Sequence, residues 1–120
     1  MGFFSGTRKS NPAKFVGNLL FAGEKVECTY KLIRNHISLT DKRIIIVEKT
    51  FLARKVSIRS IPYHKIDNIL LEKNRKLFSI SNFLRIISEG KDYRFKIAKG
   101  EKIMDFYKTI TRLMCEKGFS

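Results

Sequence analysis

The segment from Lys31 to Ile66 reads as a series of strands, and it constrains the fold more than any other part of the chain. Its centre, Ile44–Val47, is a β-branched run that is bounded by polar residues and too short for a typical helix. Before it, apolar and polar residues alternate, as in strands with one buried and one solvent-facing side. After it, Pro62 lacks a ladder donor and should end a strand. The segment therefore predicts four consecutive strands, and it contains no recognisable catalytic motif.

The remainder of the chain adds three strands and two helices to this pattern. The predicted fifth to seventh strands are Ile66–Glu72, Asn82–Ser88 and Tyr93–Ile97. A hairpin turn over Glu89–Asp92 should join the last two. Asn11 and Pro12 can start a short helix over Pro12–Phe21. A helical apolar stripe predicts one C-terminal amphipathic helix, through Ile103, Phe106, Tyr107, Ile110, Leu113 and Met114.

The length of 120 residues allows one hydrophobic core, and 43% hydrophobic residues are enough to fill it. We expect a lead-in over residues 1–22 and one domain over residues 23–120. No apolar run reaches the roughly 18 residues that span a bilayer, and the first residues do not resemble a secretory signal. The predicted location is cytoplasmic, extending to a peripheral position at the inner face of the membrane.

The two cysteines and two histidines give no pattern typical of a metal site or a disulfide framework. We expect Cys28 and Cys115 to be buried thiols. His36 is expected at a tight turn and His64 in a loop beside Pro62. The sequence therefore predicts neither a metal nor another cofactor.

Charge is the strongest compositional signal, since 25 Lys and Arg against 11 Asp and Glu give a net charge of +14. Such an excess attracts polyanions, which include an anionic membrane surface, an acidic protein and nucleic acid. The basic residues are spread almost evenly from Arg8 to Lys117, as on a solvated surface. Net charge alone does not choose among these partners.

Four short motifs carry a resemblance to a known family. They are GEKVE at Gly23–Glu27, KLIR at Lys31–Arg34, TDKR at Thr40–Arg43 and SIPYHKI at Ser60–Ile66. In this order and spacing, the chain resembles the bacterial PH (pleckstrin-homology-like) domain family. The resemblance implies a mainly β, PH-like barrel of seven antiparallel strands in two orthogonal sheets, with one C-terminal α-helix as a cap and a short N-terminal helix.

The resemblance also implies a non-enzymatic module that tends to form homo-oligomers. Eukaryotic PH domains that bind phosphoinositides use basic residues around a long loop between the first two strands. Here that loop spans only about Arg34–His36, which argues against a headgroup site at that loop. The predicted function is a self-associating binding module that engages an anionic membrane surface or an acidic partner, and no small-molecule substrate is identified.

Two groups of basic residues are the candidates for binding anions or lipid. The first is Lys73, Arg75 and Lys76, in a predicted loop between the fifth and sixth strands. The second combines two predicted turns, with Lys42 and Arg43 at one and Arg54 and Lys55 at the other. The apolar candidates for contact with a membrane or another subunit are Phe3, Phe4 and Phe78.

The alternative hypothesis is a nucleic-acid-binding basic β domain, with Arg85, Arg94 and Lys96 on one sheet face. The aromatic residues Tyr93 and Phe95, which could stack on bases, are expected to face the core instead. For catalysis the sequence offers no nucleophile with a partnering base, no glycine-rich phosphate loop and no metal motif. We therefore expect a protein that is not an enzyme.

Overall fold

Among the residues that the structure describes, seven antiparallel strands form two sheets, accompanied by a short N-terminal helix and a longer C-terminal helix. The computed structural model describes residues 12–32, 35–50, 52, 54–76, 79–97 and 102–118. They fall into two compact units, Met1–Ser60 and Ile61–Ser120, which are described one at a time. The predicted fold class, mainly β with seven antiparallel strands and two helices, is confirmed.

The first unit is built on a four-stranded sheet in the order β1-β2-β3-β4. The short helix α1 precedes the strands, and the bounds are α1 (Pro12–Gly17), β1 (Val26–Lys31), β2 (Asn35–Thr40), β3 (Arg43–Thr50) and β4 (Lys55–Pro62). As predicted, Ile44–Val47 lies in an internal strand, and all four of its side chains are buried. The predicted end of a strand at Pro62 is also confirmed.

Helix α1 covers one face of this sheet. Val16 is buried against Ile45 and Val47, and partly buried neighbours extend the cluster, namely Phe15, Leu19, Leu20 and Val26. The helix ends at Gly17 rather than at the predicted Phe21. After the helix the chain forms a tight turn, in which the Leu19 N–H donates to the Val16 carbonyl at 2.8 Å.

Two of the sequence expectations about single residues in this unit are wrong. His36 is not at a turn but within β2, where it pairs with Val47 and is only 4% exposed. The reversal comes earlier in the chain, where the Leu32 N–H donates to the Asn35 carbonyl at 2.7 Å. Cys28 in β1 is half-buried rather than fully buried.

The second unit contains a three-stranded sheet in the order β5-β6-β7. A short 3-10 turn (Tyr63–Lys65) leads into it, and the strands are β5 (Ile66–Lys76), β6 (Ser79–Ser88) and β7 (Lys91–Ile97). The pairing of β5 with β6 is continuous from Asn68 to Lys76, which is paired with Ser79. The predicted loop between these strands is therefore wrong, because residues 73–76 and 79–81 are paired strand residues of a long hairpin.

The turn between β6 and β7 matches its prediction, although it is tighter. Glu89 and Gly90 are the two turn residues, with φ values of 50° and 83°. Positive φ at both positions is typical of the two-residue turn whose twist fits a hairpin. Glycine adopts this conformation without steric cost, and the Asp67 carboxylate supports Glu89 by accepting its N–H at 2.9 Å.

Helix α2 (Ile103–Lys117) closes the second unit by packing on the 3-10 turn and on β5. Phe106, Ile110 and Leu113 are buried, as the predicted apolar stripe requires. The helix ends before Gly118, whose N–H donates to the Met114 carbonyl at 2.9 Å. Cys115 is exposed on this helix, which corrects the expectation of a buried thiol.

Candidate functional site

Strand β3 carries a basic pair of residues at or just beyond each of its ends. Lys42 and Arg43 lie where β3 begins, whereas Arg54 and Lys55 lie after it ends, where β4 begins. A strand of eight residues is about 25 Å long. The two pairs therefore lie at opposite ends of β3 and do not share a rim, which a joint patch would require.

Arg43 is held by a network within the first unit. Its Nε and Nη2 donate to the two carboxylate oxygens of Glu24, at 2.8 and 2.9 Å. Its other bonds go to the Ser60 hydroxyl at 2.7 Å and the Leu19 carbonyl at 2.9 Å. The guanidinium also lies 5.3 Å from the ring centre of Phe21. Arg43 therefore has a structural role, while Lys42 beside it is exposed.

Glu24 is the buried partner in this network, with a side chain that is 0% exposed. Burial alone would raise the pKa of its carboxyl group. Hydrogen bonds from Arg43, from the Thr40 hydroxyl at 2.7 Å and from the Phe21 amide outweigh that effect and lower the pKa. Three of the four sequence motifs contribute to this network. Glu24 belongs to GEKVE, Thr40 and Arg43 belong to TDKR, and Ser60 belongs to SIPYHKI.

The other end of β3 opens into a groove of about 730 Å³. Residues from β2, β3, β4 and the β3–β4 turn line it, namely Asn35, Glu48, Lys49, Thr50, Leu52, Lys55, Ser57 and Arg59. We call this the β3–β4 groove. It contains Lys55, one of the predicted candidates, and Arg54 adjoins it in the chain. The groove thus brings one predicted pair next to basic residues that the sequence did not single out.

The charge of the β3–β4 groove is positive. Its three cations, Lys49, Lys55 and Arg59, face a single acid, Glu48, among the lining residues. Arg59 Nη2 lies 3.6 Å from Glu48 Oε1, and both side chains are more than a third exposed. Hydroxyl groups of Thr50 and Ser57 and the amide of Asn35 add neutral hydrogen-bonding groups. This arrangement suits an anionic ligand that keeps part of its hydration.

The remaining predicted candidates are only partly within the described residues. Lys73 is exposed on β5. Arg75 and Lys76 belong to the same strand, paired with Ile80 and Ser79 of β6. Phe3, Phe4 and Phe78 lie outside the described residues.

The basic face proposed for nucleic acid lies on the second sheet, and its charge is partly compensated. Arg85 contacts Glu72 at 2.7 Å and Asp92 at 2.6 Å. Hydrogen bonding to Arg85 lowers the pKa of the Asp92 carboxyl group. Arg94 lies 4.9 Å above the ring of Phe83 and 3.9 Å from Glu72. Tyr93 is half-buried and Phe95 is buried, as predicted.

Sequence reasoning missed Lys49, Leu52 and Arg59 of the β3–β4 groove. Lys49 and Arg59 looked like ordinary solvated residues of two strands. Leu52 had a detectable signal, because a large apolar residue is unusual in a turn, where small and polar residues dominate. In the structure Leu52 is 90% exposed at this turn, in agreement with that signal.

The described residues contain neither a candidate metal cluster nor a candidate membrane-spanning helix. Within this part of the chain, no group of three or more His, Cys, Asp or Glu side chains could hold a metal ion. No helix in the same part is both long enough and apolar enough to cross a bilayer.

Comparison with known proteins identifies the family. The sequence model of the bacterial PH domain family matches residues 1–114 of this chain. Among curated proteins, the uncharacterized protein YjqA of Bacillus subtilis is 35% identical over 101 residues, which cover 79% of this chain and 78% of YjqA. The uncharacterized protein YozO of the same organism is 29% identical over 115 residues, or 96% of this chain and 99% of YozO.

Solved structures agree with the family match. A pleckstrin homology domain from Shewanella amazonensis has a TM-score of 0.74 and 26% identity, covering 87% of this chain and 96% of that one. A protein with such a domain from Shewanella loihica has a TM-score of 0.69 and 24% identity, covering 86% and 90% respectively. PH domains are generally non-catalytic binding modules. The protein with this sequence is a member of the bacterial PH domain family.

Proposed function

We propose that this chain is a non-catalytic binding and assembly module that takes an anionic partner at the β3–β4 groove. The observation that carries the proposal is the groove's lining of Lys49, Lys55 and Arg59 around a single acid, Glu48. At the opposite end of β3, the Arg43 guanidinium is engaged by Glu24 within the fold. The groove is therefore the better candidate for an external anion, such as an anionic membrane surface or an acidic protein.

The first experiment measures capture by acidic and neutral vesicles at low and high salt, with heparin as a competitor. Charge-selective capture at low salt that weakens at high salt supports the proposal. Replacing Lys49 and Lys55 by Gln should weaken binding by more than about twentyfold, because each basic residue near an anionic surface contributes about fivefold. Lys91→Gln with Lys108→Gln removes the same charge elsewhere and is the matched control. Equal losses in both double variants would contradict the groove as the site.

Self-association is the second half of the proposal. Strand β4 lies at the edge of its sheet, and Val56 and Ile58 on it are 38% and 46% exposed. Exposed edge strands with apolar side chains tend to pair with another chain. Light scattering should give a mass above that of one chain, and Ile58→Lys should lower it. A strict monomer in dilute buffer would remove this half of the proposal.

Nucleic-acid binding is the alternative, supported by Arg94 above the Phe83 ring on the second sheet. It is the weaker hypothesis because Arg85, on the same face, is engaged by Glu72 and Asp92. It predicts tight binding of single- or double-stranded oligonucleotides with a steep dependence on salt. Flat titrations would exclude it, and loss of binding in Arg94→Gln with Lys96→Gln would favour it.

A further inference from the structure

Leu52 is the most exposed large apolar side chain among the described residues. It is 90% exposed at the β3–β4 turn, whereas the other exposed large apolar side chains range from 38% to 54%. A single exposed leucine is common on protein surfaces. This one lies at the tip of a hairpin, and at such exposure it contributes almost nothing to packing. The Leu52 side chain is therefore available for contact with another molecule.

Basic residues flank Leu52 on both sides. Lys49 precedes it by three positions, and Arg54 and Lys55 follow it by two and three. Arg54 and Lys55 are exposed, and Leu52 lines the β3–β4 groove together with Lys49 and Lys55. An apolar tip with cations around its base suits the surface of an anionic bilayer. There the apolar group sits below the headgroups, while long basic side chains reach the phosphates.

We propose that the β3–β4 turn docks on an anionic lipid bilayer, with Leu52 inserted among the lipids and Arg54 and Lys55 at the phosphate level. This inference rests on the proposed function and selects the membrane surface as the partner. An acidic protein fits less well, because a stable protein interface needs a broad patch of complementary shape around its apolar centre. A single protruding apolar side chain is accommodated by a fluid apolar layer without such a patch.

Tryptophan fluorescence gives a direct test, because the chain contains no Trp. Leu52→Trp places a unique fluorophore at the tip, and Met104→Trp places one at a 54% exposed position on α2. Vesicles of phosphatidylcholine with phosphatidylglycerol should shift the Leu52→Trp emission to the blue, and lipids brominated on the acyl chains should quench it. Neither change is expected for Met104→Trp or with phosphatidylcholine alone.

Affinity measurements separate the apolar contribution from the charged one. Leu52→Ser should weaken binding to anionic vesicles by about tenfold, since it removes the inserted side chain. The loss of heparin binding in the same variant should be much smaller, because heparin is held by the cations of the groove and offers no apolar layer to Leu52. Arg54→Gln with Lys55→Gln should weaken vesicle binding by about twentyfold and also weaken heparin binding. Met104→Ser is the control for loss of an exposed apolar side chain, and it should change neither.

The outcomes distinguish this inference from the proposed function. Capture by anionic vesicles with an unchanged Leu52→Trp spectrum would overturn the inference, since binding would then use another surface. Groove-dependent heparin binding without vesicle binding would also overturn it, and would leave an acidic protein as the partner. Binding of neither heparin nor vesicles would overturn both the inference and the proposed anion site.

Discussion

The two ends of strand β3 differ sharply in how they use their basic residues. At the first end, Arg43 is joined to the buried Glu24, to the Ser60 hydroxyl and to the Leu19 carbonyl. At the other end, Arg54 and Lys55 are exposed beside the β3–β4 groove. The role of two adjacent basic residues therefore cannot be inferred from the sequence of the pair alone. Its role depends on whether the fold brings an acid to it.

The largest expected effect comes from removing Arg43. Arg43→Met leaves the Glu24 carboxylate buried without its charged partner, so the free energy of unfolding should fall by about 3 to 5 kcal/mol. Arg54→Met, at the other end of β3, is the matched control and should change stability by no more than about 0.5 kcal/mol. Urea unfolding of both variants gives the comparison. Similar losses in the two variants would show that the two ends do not differ in this way.

Lowering the pH should reduce the free energy of unfolding through different groups near the two ends of β3, and the two losses should begin at different pH values. Burial, helped by Lys49 and Lys31, lowers the pKa of His36 from 6.5 to about 4. The unfolded chain therefore binds more protons between pH 6.5 and 4, and stability should fall by up to about 3 kcal/mol as the pH drops through that range. The pKa of Glu24 is lowered from 4.5, so its contribution is lost progressively as the pH falls from about 4.5 towards that lowered pKa.

Unfolding curves measured from pH 7 to pH 3 test this order of events. His36→Leu should remove the loss between pH 6.5 and about 4.5 and keep the loss caused by Glu24 at lower pH. The exposed His64 supplies the control, since His64→Gln should retain the full pH dependence. An unchanged profile in His36→Leu would assign the acid sensitivity to other groups.

A smaller effect is expected from removing the acid of the β3–β4 groove. Glu48→Gln should strengthen heparin binding by about fivefold, because one opposing charge is lost near the bound anion. Its ion pair with Arg59 is exposed and 3.6 Å long, so stability should change by less than about 1 kcal/mol. Fluorescence anisotropy with labelled heparin measures the change, with Glu116→Gln on α2 as the control. Equal gains in both variants would indicate attraction to net charge alone.

The smallest effect concerns the backbone at Arg54. Its φ of 52° lies in the left-handed region, which costs a non-glycine residue about 1 to 2 kcal/mol. Glycine avoids this cost but has more freedom to lose on folding, so Arg54→Gly should stabilise the protein by about 0.5 kcal/mol. Arg54→Ala removes the same side chain but keeps the cost of the left-handed backbone conformation. If both variants gave the same unfolding midpoint, the backbone explanation would be wrong.

The fold was predictable because its strands and C-terminal helix have strong periodicity. Alternation located β1 and β7, the β-branched run located β3, and the apolar stripe located α2. The hairpin of β5 and β6 was underestimated because the polar run from Lys73 to Lys76 has no apolar alternation, and it is extended by pairing across the hairpin. Neighbouring strands override local composition in such cases.

The candidate site was less predictable than the fold. Its residues come from β2, β3, β4 and the turn between the last two, so only the completed sheet brings them together. The burial of His36 was missed for a similar reason. Its environment is set by α1 and by the flanking strands, with the Phe15 ring centred 6.2 Å from its own. Single-residue environments depend on contacts between distant segments, which periodicity does not report.

The network around Glu24 also bears on the order in which the chain folds. Its bonds join residues 16 to 24 positions apart, such as Thr40 with Glu24 and Arg43 with Leu19. Contacts at such separations form only after a loop has closed, and closing the loop carries an entropic cost of its own. The β1–β2 and β2–β3 hairpins are more local and can form first. We therefore expect the network around Glu24 to form after these hairpins and to stabilise the finished structure.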